Sequence, residues 1–209
     1  MDSELENELV RGSETIGLVL DEAQIRSLLK YLVLLEKWNR AYNLTAIRDP
    51  RQMVSRHLLD SLAIAEHCKG GVLLDVGTGA GLPGIPLAIL FPERQIHLLD
   101  SNGKKTRFLF QVKTDLGLHN VTVHNERVEA FEPAQLFDSI LSRAFASLLD
   151  MVSSCRNHLV AGGSFLAMKG VFPEQELRAV ETLCRVEEVF PIEVPSLDEP
   201  RHLVAMTLR

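Results

Sequence analysis

Cysteine is scarce and poorly placed for chemistry: Cys68, Cys155 and Cys184 are the only three in 209 residues. An odd, widely spaced set of thiols forms neither a disulfide framework nor a metal-ligand pattern, and reads as buried cysteine in a reducing compartment. No metal is expected. Also missing is any run near the roughly 20 uninterrupted apolar residues that a membrane span requires. The opening stretch, MDSELENELV, is acidic and has no apolar core of the kind a secretory signal needs, so a cytoplasmic location is expected. Positive charge is in the minority, with 22 Lys and Arg against 28 Asp and Glu and a net charge of −6. That balance argues against indiscriminate nucleic-acid binding, while leaving room for a local basic face. No internal repeat, low-complexity tract or Pro/Ser-rich linker divides the chain. A hydrophobic content of 46% suits one globular domain with a substantial core, or one domain with an appendage.

The pattern along the chain changes once. In DEAQIRSLLKYLVLLEKW (21–38), apolar residues recur at Ile25, Leu28, Leu29, Leu32, Leu35 and Trp38. That is the spacing of a helix with one buried stripe, and Asp21 stands where an N-cap belongs. Tyr31 and Trp38 fall on the stripe and are expected in the core. A second helix is predicted from Pro50 to Cys68, reached through the turn-forming connector NRAYNLTAIRDP. From residue 72 onward short apolar strands alternate with helices. The strands are VLLDV (72–76), QIHLLD (95–100), VTVHNE (121–126) and FDSILSRA (137–144). A helix through PGIPLAILF follows the first strand, and others are predicted over 104–116 and 147–160. A turn at Gly162–Gly163 leads to the strand SFLAMKG, then PEQELRAVETLC reads as a helix, and VEEVFPIEV and HLVAMTLR close as strands. This alternation predicts a Rossmann-like α/β fold, with a mostly parallel seven-stranded sheet and helices on both faces. Residues 1–68 read as a helical extension packed on a single compact domain of residues 69–209.

Residues 74–84, LDVGTGAGLPG, place four glycines directly after the first strand. Glycine inside regular structure costs about 0.5–1 kcal/mol, so such a cluster belongs where backbone turns sharply or lies against a ligand. In open α/β sheets that ligand sits at the carboxyl ends of the strands, where the strand order reverses. Two nucleotide readings compete, beside a tight turn that holds nothing. GAGLPG (79–84) matches the G-x-G-x-x-G of dinucleotide sites, in which pyrophosphate rests on a helix N-terminus. Alternatively, Asp75 with Gly77, Gly79 and Gly81 forms D-x-G-x-G-x-G, whose acid repels pyrophosphate and suits the ammonium of an amino acid. Asp75 equally suits a role capping the loop's own N–H groups. Asp100 ends the second strand, where a carboxylate accepts from ribose hydroxyls. The combination favours S-adenosylmethionine over a nicotinamide cofactor.

Beyond this loop, KWNRAYNLT, RHLLDSL, DVGTGAGLPGIPL, LLDSNGKKTRFL, the RVE of NERVEAF, LSRAFASL, LAMKG and PRHLV occur in order. Together they resemble the bacterial small-subunit ribosomal RNA guanine-N7 methyltransferase G family, also called glucose-inhibited division protein B, over residues 30–206. The resemblance implies a class I S-adenosylmethionine-dependent methyltransferase. It also implies a substrate, N7 of guanine 527 in the 530 loop of 16S rRNA, with the small ribosomal subunit or an assembly intermediate as partner. Carried over segment by segment, it makes Gly77, Leu82, Val128, Glu129 and Arg143 cofactor contacts. It puts Asn43, His57, Lys104, Arg127, Arg143, Lys169 and Arg201 on the active-site rim. Nothing is carried over in the first 20 residues or in 171–197.

Guanine N7 carries an unprotonated lone pair, so its attack on a sulfonium methyl needs no general base. Catalysis then rests on alignment, and no compelling nucleophile or acid–base pair is present in the sequence. Arg and Lys are the usual donors to guanine O6, which suits Arg143 and Lys169 at the ends of the fourth and fifth strands. Lys104, Lys105 and Arg107 open a helix, where cations oppose the helix dipole. With Arg40, Arg48, Arg51 and Arg56 they form the expected RNA-facing patch. Other readings of the same residues are a methyltransferase of small molecules on this fold and a non-catalytic nucleotide-binding protein of ribosome assembly.

Overall fold

The computed structural model describes residues 3–143 and 145–209, so the first two residues of the expected extension and Ala144, the expected end of the fourth strand, lie outside the described residues. Its strands are β1 (Val72–Val76), β2 (Gln95–Leu99), β3 (Val121–His124), β4 (Phe137–Ser142), β5 (Leu159–Lys169), β6 (Cys184–Pro191) and β7 (His202–Leu208). They form one sheet in the order β3-β2-β1-β4-β5-β7-β6. The first five are parallel, and β7 runs antiparallel to both β5 and β6. The order reverses between β1 and β4, so the loops leaving those two strands flank the crevice where such sheets bind ligands.

Both faces of the sheet are covered, as the near-continuous apolar strands require. Neighbouring residues of one strand enter opposite cores: Leu73 packs with Leu28, Leu58, Ile85 and Phe108, while Leu74 packs with Phe137, Met151 and Phe165. The first core is closed by α1 (Ser3–Thr15), α2 (Glu22–Tyr42), α3 (Pro50–Met53), α4 (Asp60–Leu62), α5 (Gly84–Leu90) and α6 (Gly103–Leu116). The second lies under α7 (Leu148–Cys155) and α8 (Glu174–Val180). Helix α2 starts with a capping box, in which Asp21 accepts from Gln24 N and the Gln24 side chain accepts from Asp21 N. Tyr31 is fully buried on its stripe and donates to Ala80 O at 2.8 Å, which ties α2 to the glycine loop. Among the described residues no helix is long and apolar enough to cross a membrane.

Three elements differ from the sequence expectation. Helix α2 continues through NRAY instead of stopping for a connector, and carries the Tyr42 ring tilted against Trp38 one turn earlier, with centroids 5.2 Å apart. Asn43, left-handed at φ 50°, ends it. The helix expected over 50–68 is broken into α3, a wide π-helical turn Val54–Leu59, α4 and a short 3-10 turn Ala65–His67. Val54, Ser55, His57, Leu58, Leu59, Asp60 and Ser61 are all buried there, so packing from all sides, rather than one apolar stripe, sets the backbone. Helix α1 presses so close that a Cβ on Gly12 would lie 2.3 Å from Leu59 Cδ1. Finally, Gly162–Gly163 is not a turn but part of β5, which runs through a register shift opposite Phe137–Ser139. A Cβ on Gly163 would meet Asp138 O at 2.9 Å, and glycine in a strand marks such close backbone approach.

Candidate functional site

The glycine loop is built onto the ends of β1 and β2. Gly77 N and Thr78 N both donate to Leu99 O, at 2.8 and 3.2 Å. Beneath the loop, Asp75 is fully buried, and its Oδ2 accepts from Thr78 Oγ1 at 2.7 Å and from Gly84 N at 2.8 Å. Burial pushes its carboxyl up to about 6, against the pull of those two donors. Oδ2 thus braces the loop, a role compatible with a ligand contact, while Oδ1 is buried and has no hydrogen-bond partner among the described residues. The glycines divide in the same way. Gly77, Gly79 and Gly81 all adopt positive φ. A Cβ on Gly81 would strike Ile85 Cγ1 at 2.5 Å and Leu109 Cδ2 at 2.7 Å, whereas one on Gly79 would find nothing nearer than 3.9 Å and would project towards Lys105. Gly81 serves the packing, and Gly79 faces open space.

Two hollows meet at Gly77. The smaller, about 320 Å³, is lined by the ends of β1 and β2 and by the segment after β3. It contains the predicted residues Asp100, Arg127, Val128 and Glu129. Asp100 Oδ2 accepts from Gly79 N at 3.0 Å and Oδ1 from Asn102 N at 2.8 Å, so the carboxylate is fixed at the mouth of the loop. Lys105, expected among the RNA-facing cations, turns into this hollow instead and donates to Asp100 Oδ2 at 3.4 Å. The hollow supplies the acid with a counter-charge, which is the physical reason. Arg127 likewise lines the smaller hollow, away from the other residues assigned to the rim.

The larger hollow, about 440 Å³, lies on the other side of Gly77. It is lined by the predicted residues Gly79, Leu82, Arg56, His57, Arg143, Lys169 and Arg201. Its wall also includes Asp60, which the sequence reading missed. This carboxylate is 3% exposed, and it accepts from Arg143 Nη1 on Oδ2 at 2.8 Å and from Arg201 Nε on Oδ1 at 3.1 Å. One acid at the start of α4 thus holds two arginines that are 58 residues apart in sequence. Lys169 is held separately by Glu176 at 2.7 Å, and Arg56 by Glu199 at 2.5 Å. Within this set Arg143, Arg201, Lys169 and Arg56 face Asp60, Glu176 and Glu199, which leaves one net positive charge. His57 meets Thr45 Oγ1 through Nε2 at 2.9 Å. Burial, assisted by the Arg143 charge, lowers its imidazole to about 4, so it is neutral at physiological pH.

Thr45 was also missed. It sits in a loop that Asn39 braces, accepting from Thr45 N at 2.9 Å and donating to Ile47 O at 3.2 Å. Asn43, placed on the rim by the resemblance, caps the end of α2 through its backbone N–H, and its neighbours Leu44 and Thr45 line the hollow. The remaining cations lie outside both hollows. Arg40 pairs with Glu36 and Arg51 with Glu4, both at 2.6 Å. Arg48, Lys104 and Arg107 form no ion pair with another described residue. Among the described residues no three His, Cys, Asp or Glu side chains gather as a metal ion would need.

Known proteins are similar to this chain in sequence and in fold. A glycopeptide N-methyltransferase solved with S-adenosyl-L-methionine superposes with a TM-score of 0.64 at 13% identity, covering 73% of this chain and 95% of that one. A SAM-dependent methyltransferase from Aquifex aeolicus gives 0.61 at 20% identity, covering 77% and 94%. At these identities the likeness concerns the fold, which is that of the class I methyltransferases. Sequence relatives are far nearer. The ribosomal RNA small subunit methyltransferase G of Pseudomonas aeruginosa (strain LESB58) is 55% identical over 204 residues, 96% of this chain and 94% of its own. The protein of the same name from Cellvibrio japonicus is 52% identical over 211 residues, 99% of this chain and 96% of its own. The family model described as rRNA small subunit methyltransferase G matches residues 24–204, and the chain belongs to that family.

Proposed function

We propose that this protein transfers a methyl group from S-adenosylmethionine to N7 of guanine 527 in the 530 loop of 16S rRNA, acting on the small ribosomal subunit or an assembly intermediate of it. The observation that carries this reading is the pair of hollows meeting at Gly77, one centred on a ribose-type acid and the other on a clamped pair of arginines. The cofactor fits the first. Gly79 has no Cβ to fill the space beside Lys105, and the fixed Asp100 carboxylate still has acceptor capacity beyond its three partners. Val128 and Glu129 complete that side. When bound, S-adenosylmethionine supplies a methyl group on a sulfonium.

The larger hollow suits a guanine about to become cationic. Arg143 and Arg201 provide forked donors of the kind that read guanine O6, and Asp60 fixes both in place. Because Asp60, Glu176 and Glu199 offset most of the positive charge, the walls do not repel the charge that moves from sulfonium to base. No side chain has to take a proton: N7 has none to lose, His57 is buried and neutral, and Asp60 is occupied by two guanidiniums. Rate enhancement then comes from alignment in a near-attack geometry. The unpaired cations Arg48, Lys104 and Arg107 supply phosphate contacts on an otherwise acidic protein.

The test is methyl incorporation from labelled S-adenosylmethionine into small subunits from cells lacking this protein, with the label mapped by chemical cleavage at N7-methylguanine. Label at one guanine of the 530 loop is expected. Cofactor binding without incorporation into subunits, rRNA or assembly intermediates would overturn the assignment of substrate.

A further inference from the structure

The loop between β5 and α8 carries two exposed apolar side chains beside the larger hollow: Val171 is 76% exposed and Phe172 is 50% exposed. The loop begins inside the site. Gly170 lines the hollow, and Arg201 Nη1 lies 3.9 Å from where its Cβ would stand. Nor is the loop slack. His202 Nδ1 meets Gly170 O at 3.2 Å, and the His202 ring stands edge-on to Phe172, with centroids 5.7 Å apart and planes at 82°. On either side of the loop Lys169 and Glu176 are joined at 2.7 Å. A phenyl ring thus rests against His202 and is left half in water, two residues along the chain from Gly170 in the wall of a hollow that also carries Arg201, Lys169 and Arg56. An occupant that matches must be flat and apolar on its faces, and must carry negative charge alongside. An unpaired nucleotide has all three properties, because its base stacks on aromatic rings while its phosphate meets the cations.

We propose that Phe172, flanked by Val171, is a stacking platform for a base of unpaired rRNA adjacent to the guanine held in the larger hollow. The inference rests on the proposed reaction only in taking that hollow as the guanine site. It adds a recognition element within residues 171–197, where no family segment is carried over.

The experiment compares wild type with Phe172→Ala, Phe172→Leu and Phe172→Trp. Dissociation constants are measured for unmethylated small subunits and for protein-free 16S rRNA, alongside methylation rates and S-adenosylmethionine affinity. Base–aromatic stacking predicts about tenfold weaker RNA binding for both Ala and Leu variants, recovery with Trp, and KM affected more than kcat. Cofactor affinity should hold across the series, which shows that the variants fold. Wild-type binding by Phe172→Leu would overturn the proposal, since leucine keeps the apolar bulk and loses only the flat face. A loss seen with subunits but absent with protein-free rRNA would assign the ring to a ribosomal protein, and would overturn it too. Absence of methylation by wild type counts against the proposed reaction, whereas the binding series still reads the stacking.

Discussion

Replacing Asp60 by asparagine tests whether one buried carboxylate organises the proposed guanine site. The substitution keeps the shape and removes the charge. Asparagine offers one acceptor oxygen and one amide donor, so only one of Arg143 and Arg201 keeps a bond, while the other guanidinium faces an N–H. A hydrogen bond to a charged group contributes about 1.5–3 kcal/mol. Losing one such bond and weakening the second by half amounts to about 3 kcal/mol. The two arginine side chains are 28% and 24% exposed, and water recovers part of that, which leaves about 2 kcal/mol. For a chain of this length the melting temperature should then fall by about 4–8 °C. The activity should fall further than the stability accounts for, because a displaced positioning group costs about 100-fold in kcat/KM. The assay pairs a thermal melt followed by circular dichroism with methyl incorporation into unmethylated small subunits. S-adenosylmethionine affinity serves as the control. Adding Arg143→Ala to Asp60→Asn should cost little more, since the two act as a unit. The reasoning is refuted if Asp60→Asn keeps kcat/KM within about threefold of wild type, or if cofactor affinity collapses together with activity.

Other expectations follow from the same geometry. Asp100→Ala should weaken S-adenosylmethionine binding in an equilibrium titration and leave rRNA affinity intact; equal loss of both would count against a ribose contact. Gly79→Ala and Gly81→Ala both strain a positive-φ position, but only the second drives a methyl group into Ile85 and Leu109. Gly81→Ala should therefore lower the melting temperature more, and Gly79→Ala should be felt mainly as weaker cofactor binding. Stability should also fall in mild acid. Burial holds His57 and His97 at about 4 in the fold, while an unfolded histidine protonates near about 6.5. Their contribution is complete above the unfolded value and is lost as pH falls towards the folded one. Asp75, raised to about 6, acts in the opposite sense, gaining as pH falls through that value, but two histidines outweigh one acid. Urea midpoints at pH 7 and pH 5 check this, and a midpoint that does not move would refute it.

The parts of this molecule legible in the sequence are those governed by local pattern. The strands of the sheet alternate with helices at spacings that only a βαβ arrangement uses. The α2 stripe buries Tyr31 as expected and leaves Trp38 half-buried against the core, and Asp21 with Gln24 spells its capping box. The glycine loop and Asp100 stand out for the same reason, since they lie within 27 residues of one another and the fold sets Asp100 against Gly79 N. What escaped depends on contacts between distant segments. The helix expected over 50–68 became a wide turn because it is packed on every side, and no periodicity reports that. Lys105 read as one of three exposed cations until the fold set it beside Asp100.

Asp60 is the clearest case. In RHLLDSL it looks like an interruption of an apolar run, and a carboxylate in such a place is costly unless it is paired. That cost is itself a signal. An acid flanked by leucines in a helix buried all round must have a cation brought to it by the fold, and here it has two. Arg143 arrives from the end of β4 and Arg201 from just before β7, so one buried charge ties the N-terminal helices to two strands on the β4 side of the sheet's crevice. The N-terminal segment consequently forms part of the larger hollow's wall and is not only a cover for the core. It contributes Thr45, Arg56, His57 and Asp60 to the larger hollow. Removing residues 1–68 should then abolish guanine binding as well as stability, whereas an α/β domain complete in itself would still bind S-adenosylmethionine normally.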